Sequence, residues 1–130
     1  MPGWGTGSFE NDDAQNFLAD LHSKTPEDLK HILVHAAAAE YLEASQSSVA
    51  IVAAEVVATA KGEPPATVPR QIAEWVGKIE GGPSAEMSEL ARRAVDKVRF
   101  NSELRDLWQE AEGLNEWSAV LRELEERLLA

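Results

Sequence analysis

"SVAIVAAEVVATAKG", residues 48–62, decides the fold. Its centre, "VAIVAAEVV" at 49–57, is rich in β-branched residues and competes as a buried strand. The length, the interspersed alanines and the stop at Gly62, with Pro64 and Pro65 beyond, favour a helix. A helix apolar on every face must be buried. The run carries one carboxylate, Glu55, which cannot easily reach water.

Outward from this segment the punctuation predicts about seven short helices in a compact all-α bundle. Ser45 or Ser47 restarts the chain before the central helix, and Asn11 caps a first helix with Asp12 and Asp13 in its opening turn. Ala14, Phe17, Leu18 and Leu21 form the apolar face of that first helix. "TPED" at 25–28 opens a second, expected to run through "HAAAAEYLEA" to about Glu43. Thr67 and Pro69 begin a shorter helix with Ile72, Trp75, Val76 and Ile79, halted by "GGP" at 81–83. Ser84 caps the next, in which Met87, Leu90, Ala91, Ala94, Val95 and Val98 share one face. Asn101 or Ser102 starts another, with Leu104, Leu107, Trp108 and Ala111, closed by Gly113. Asn115 is expected to cap the last, whose stripe is Trp117, Val120, Leu121, Leu124 and Leu128. Residues 1–130 read as one domain, with residues 1–10 an irregular N-terminal plug.

The composition narrows the possible functions. With 23 acidic against 12 basic residues the net charge is −11, which repels nucleic acid. Arg92, Arg93, Lys97 and Arg99 are the local exception, read as partners of neighbouring glutamates rather than an anion site. There is no cysteine, hence no disulfide or thiolate zinc site. No apolar run is long enough to span a bilayer and no basic-then-apolar leader is visible, so a cytoplasmic bacterial protein is expected.

The candidate chemistry is sparse. Gly5 and Gly7 form a G-x-G, but no strand precedes them, no lysine follows, and Glu10, Asp12 and Asp13 would repel phosphate. Those three acids lack the register of a calcium loop. His31 and His35 share a helix face as in zinc helices, but Ile32, Leu33 and Val34 intervene where a general-base glutamate would stand; His22 lies elsewhere. No cofactor or metal is expected, and no nucleophile is visible.

"WGTGSFENDDA" at 4–14, "AAEVVA" at 53–58, "SELRDLW" at 102–108 and "EW" at 116–117 together resemble a family of small bacterial proteins known as domain of unknown function 4259. The resemblance falls on Trp4, Gly5, Gly7, Phe9, Asn11, Asp12, Ala14, Glu55, Trp75, Glu103, Trp108 and Trp117. It implies the helical fold and brings no activity with it.

The expected function is a non-catalytic protein-interaction module, an acidic domain binding a basic partner in the manner of an immunity protein. The alternative is an enzyme or small-ligand binder using Glu55 with Asp12, Asp13 or a histidine. A monomer or weak homodimer is expected, with "LRELEERLLA" able to pair with a copy of itself. The glycines suggest that the 4–10 segment turns its backbone N–H groups toward Glu55 as an anion, while Trp4 and Phe9 fill apolar gaps.

Overall fold

The computed structural model describes residues 5–78 and 81–130; Trp4 and Ile79 therefore lie outside the described residues. Among the described residues seven α-helices follow one another: α1 (Asp12–Asp20), α2 (Pro26–Ala38), α3 (Ala44–Ala60), α4 (Arg70–Trp75), α5 (Ala85–Phe100), α6 (Glu103–Glu110) and α7 (Leu114–Leu129). Short 3-10 turns extend α1 over Leu21–Ser23 and α4 over Val76–Lys78. The protein is all-α.

The disputed segment is α3, and it is the axis of the bundle. From Ser47 to Ala58 every residue but the half-buried Val49 is buried. Helices α1, α2, α5, α6 and α7 all pack against it, so no face is left for water. The buried apolar residues form one cluster that also takes in Trp75, Trp108 and Trp117. No helix among the described residues is long and apolar enough to cross a membrane.

Most helix starts follow from the capping chemistry. Asn11 accepts from the Ala14 N–H, Ser84 from Met87 and Ser102 from Arg105. Thr25 and Asp28 exchange bonds in a full capping box, with Pro26 at the first helical position. This pins the Asp28 carboxyl below its usual range, chiefly through the Thr25 backbone N–H.

Three boundaries differ from expectation. Helix α2 ends at Ala38, not near Glu43, because Leu42 is drawn into an isolated parallel bridge with Ser102. The Leu42 N–H donates to Asn101 O at 3.2 Å, and the Glu103 N–H to Leu42 O at 2.8 Å. Leu42 itself is fully buried, so tertiary pairing overrides the helix preference of "HAAAAE". Helix α3 then starts at Ala44, capped by Glu43 with Gln46 reciprocating, rather than at a serine; Ser47 and Ser48 are buried in its first turns.

The α6–α7 corner is the third. Gly113, not Asn115, is the N-cap of α7, and the left-handed residue is Glu112, at φ 61°. Gly113 has an ordinary negative φ and is needed for space instead: a Cβ there would stand 2.6 Å from Trp108 Cε3. On the α6 face Leu104 and Trp108 are buried, but Ala111 is exposed.

Candidate functional site

Glu55, in the middle of α3, is 2% exposed. Its carboxylate meets two groups brought from opposite ends of the chain. Ser8 Oγ, on the N-terminal loop, donates to Oε2 at 2.6 Å. Arg127 Nη2, near the end of α7, donates to Oε2 at 3.1 Å and lies 3.0 Å from Oε1. The approach to Oε1 is off the N–H direction, so that oxygen is balanced by charge without receiving a hydrogen bond.

Arg127 is itself held from three sides. Besides Glu55, Nε donates to Glu123 Oε2 at 2.7 Å and Nη1 to Glu63 O at 3.1 Å. Lys61 Nζ adds a strap between the end of α3 and α7, donating to Leu128 O at 2.6 Å. Burial pushes the Glu55 carboxyl up from the ordinary glutamate range, while Ser8 and Arg127 pull it back. Burial also acts against the charge on Arg127, but Glu123 and Glu55 outweigh it and hold the guanidinium above arginine's ordinary value. A buried pair held in this way, by hydrogen bonds at Oε2 and by charge at Oε1, is an anchor whose loss of one member leaves an uncompensated charge.

The N-terminal loop does approach Glu55, but through a side chain. Glu55 accepts no backbone N–H from the described part of the loop, contrary to expectation. The glycine N–H groups serve Glu10 instead: Gly5 N donates to Glu10 O at 3.1 Å and Gly7 N to Glu10 Oε1 at 2.8 Å. A Cβ at Gly5 would stand 2.5 Å from the Glu10 carboxyl carbon, so the loop is wound around its own carboxylate. The anion that the glycines suit is thus Glu10, three residues from Gly7, because a local acid closes the turn at far less entropic expense than a distant one.

The remaining expected residues sort as follows. Phe9 is half-buried against the core, and its carbonyl accepts from Gln15 Nε2 at 2.7 Å. Asn11 hands the loop to α1, while Asp12 and Asp13 sit exposed in the first helical turn. Among the described residues no hydrogen bond or ion pair joins Glu55 to Asp12, Asp13 or a histidine. Loop residues 5–8 and Asn11 close over Ile51, Leu104, Trp108, Trp117 and Leu121, leaving a void of only about 10 Å³.

Two residues of consequence escaped the sequence reading. Arg127 lies in "LRELEERLLA", the stretch expected to be able to pair with a copy of itself; its place beside Leu124 and Leu128 was the available signal. Glu125 is the other, 7% exposed and gripped by Arg99 at 2.7 Å and Arg92 at 3.5 Å. Arg92 also pairs with Glu89 at 2.8 Å. The basic group on α5 therefore engages glutamates through Arg92 and Arg99; among the described residues no ion pair includes Arg93 or Lys97.

Fold and site together define a small all-α domain in which an N-terminal glycine loop is latched over a buried glutamate–arginine pair. The family model described as Domain of unknown function (DUF4259) matches residues 3–120, and the chain belongs to that family. Comparison with curated proteins and with solved structures gave no match.

Proposed function

We propose that this chain is a non-catalytic protein-interaction module, a cytoplasmic acidic domain that binds a basic protein and neutralises it as an immunity protein neutralises a toxin. The observation that carries the reading is the closure of the Glu55 site: buried, latched by Ser8 and paired with Arg127, it offers a substrate no approach. The surface charge supports the choice of partner. Exposed Glu110, Glu112 and Glu116 flank the α6–α7 corner, and the loop packed between α6 and α7 leads into Glu10, Asp12 and Asp13, also exposed. Such a field speeds the encounter with a basic surface and disfavours phosphate backbones.

The test is affinity capture from the native host at low and high salt, with the tagged chain and a Glu110→Gln, Glu112→Gln, Glu116→Gln variant side by side. One basic protein is expected, retained at low salt, released at high salt and reduced with the variant. Retention indifferent to salt and to the variant would overturn the reading. The chain acts as a monomer or weak dimer under this proposal. Leu121, Leu124 and Leu128 are already buried in the core, so of the leucines in "LRELEERLLA" only Leu129 is left exposed for self-pairing. A stable tetramer at micromolar concentration in analytical ultracentrifugation would contradict that.

A further inference from the structure

Helices α2 and α3 leave a groove between them, on a different part of the bundle from the latched glutamate. Its volume is about 400 Å³, within the size range of small-molecule sites. Ala36, the one alanine of α2 in its lining, has a side chain too short to bridge to α3. The floor is apolar, made by Ile32, Leu42 and Val49, and the rim carries His31, His35 and Gln46.

The polar groups of this groove have a common character. No carboxylate lines it, although the chain holds 23 acidic residues; its lining offers imidazole nitrogens, an amide nitrogen and the Ser45 hydroxyl. The orientation of Gln46 is fixed from outside, because its Oε1 accepts the Glu43 N–H at 3.0 Å in the α3 cap. Its NH2 group is therefore turned to the groove, where Nε2 lies 3.5 Å from His35 Nε2. One turn earlier His31 Nε2 is 3.6 Å from Glu27 Oε1.

We infer that the α2–α3 groove binds a small amphipathic carboxylate, its apolar body on Ile32, Leu42 and Val49 and its head against His31, His35 and Gln46. A rim whose amide NH2 is turned inward above an apolar floor matches a molecule with an acceptor head and a hydrocarbon body. Net charge −11 repels anions at long range, so recognition here depends on these short-range donors. A divalent metal is the competing use of two histidines one turn apart. Among the described residues, however, no group of three or more His, Asp or Glu side chains is placed to hold one, and an apolar floor serves no purpose for a metal ion.

The test is an amide NMR titration of the intact chain with sodium decanoate, decan-1-ol and zinc chloride in parallel. Decanoate is expected to shift the amides of residues 31–36 and 42–49 saturably and to bind at least tenfold more tightly than decanol. His35→Ala together with Gln46→Glu, which keeps the acceptor for the Glu43 N–H but removes the NH2 donor, should remove that preference while leaving the helical circular dichroism unchanged. Val49→Phe, which fills the half-buried wall, should weaken both organic ligands. Equal binding of decanoate and decanol, shifts centred elsewhere, or zinc saturating the same amides while decanoate leaves them unmoved would overturn the inference.

Discussion

Ser8 and Glu55, 47 residues apart, are joined by a 2.6 Å hydrogen bond that fastens the N-terminal loop to the central helix. The loop's other bonds are mostly its own: Glu10 answers Gly5 and Gly7, and Gln15 holds Phe9. The loop thus folds on itself and is latched at one buried point. Ser8→Ala should cost on the order of 1.5–3 kcal/mol, the usual range for a hydrogen bond to a charged group. Urea unfolding followed by tryptophan fluorescence measures it; a change below a few tenths would show that the latch contributes little.

The Glu55–Arg127 pair predicts strong non-additivity. Arg127→Met leaves a buried carboxylate with only Ser8, and breaking such pairs typically costs about 3–5 kcal/mol. Glu55→Gln leaves Arg127 with Glu123 and the Glu63 carbonyl, so its cost should be smaller, on the order of 1.5–3 kcal/mol. Because both changes remove one interaction, the double variant should lose clearly less than the sum of the two. Additive losses within error would mean the two side chains do not act as a pair.

The same carboxylate gives a pH signature. Burial raises the Glu55 pKa above its ordinary value, so between the two the folded state binds the proton that the unfolded state has released. The contribution is fully present below the unfolded pKa and is lost as pH rises through the folded one. Wild type should therefore gain on Glu55→Gln as pH is lowered from neutral toward 4. Arg127→Met, which removes a charge that pulls the pKa down, should widen that window upward. Unfolding free energies measured for the three proteins across this range decide it; parallel curves would exclude a raised Glu55.

These energetics also explain what could be read from the chain alone. Asn11, Thr25, Ser84 and Ser102 announced their helices because a cap is chemistry within four residues. The burial of Glu55 was equally legible, since no face of α3 offers water. Its partners were not. Ser8 lies 47 and Arg127 72 residues away, and nothing within either local sequence marks it as their destination. The early end of α2 was hidden for the same reason, being set by the meeting of Leu42 with Asn101 and Glu103.

At the α6–α7 corner the glycine stands one position after the strained residue. Glu112 at φ 61° bears the left-handed conformation that an L side chain disfavours by roughly 1–2 kcal/mol. Glu112→Gly should relieve this, offset in part by glycine's larger unfolded-state entropy, for a net gain of a few tenths to about 1 kcal/mol. Gly113→Ala should instead cost about 1–3 kcal/mol, because its Cβ meets the Trp108 ring. Thermal melts of the two variants should move in opposite directions; a destabilised Glu112→Gly would refute the assignment of strain to that residue.

Tyr41 gives the most direct spectroscopic check, since it is the only tyrosine in the chain. Its hydroxyl donates to Asp106 Oδ2 at 2.7 Å, linking the turn after α2 to α6. Ionising the phenol would remove that donor and set two negative oxygens face to face. Its pKa is accordingly pushed up to about 12, through the Asp106 hydrogen bond first, then burial and the charges of Asp106 and Glu103. The phenolate band in an absorbance titration should rise near that value if the fold persists. In Asp106→Asn the acceptor charge is gone, and the midpoint should fall back toward the ordinary phenol value of about 10. The sign for stability follows from the raised pKa: the contribution is intact below pH 10 and is lost as pH climbs through the folded value. Asp106→Asn should therefore flatten the alkaline limb of the stability curve, while Tyr41→Phe should abolish both the band and that share of the slope. An unshifted midpoint in the wild-type chain would show that Tyr41 does not hold Asp106 in solution.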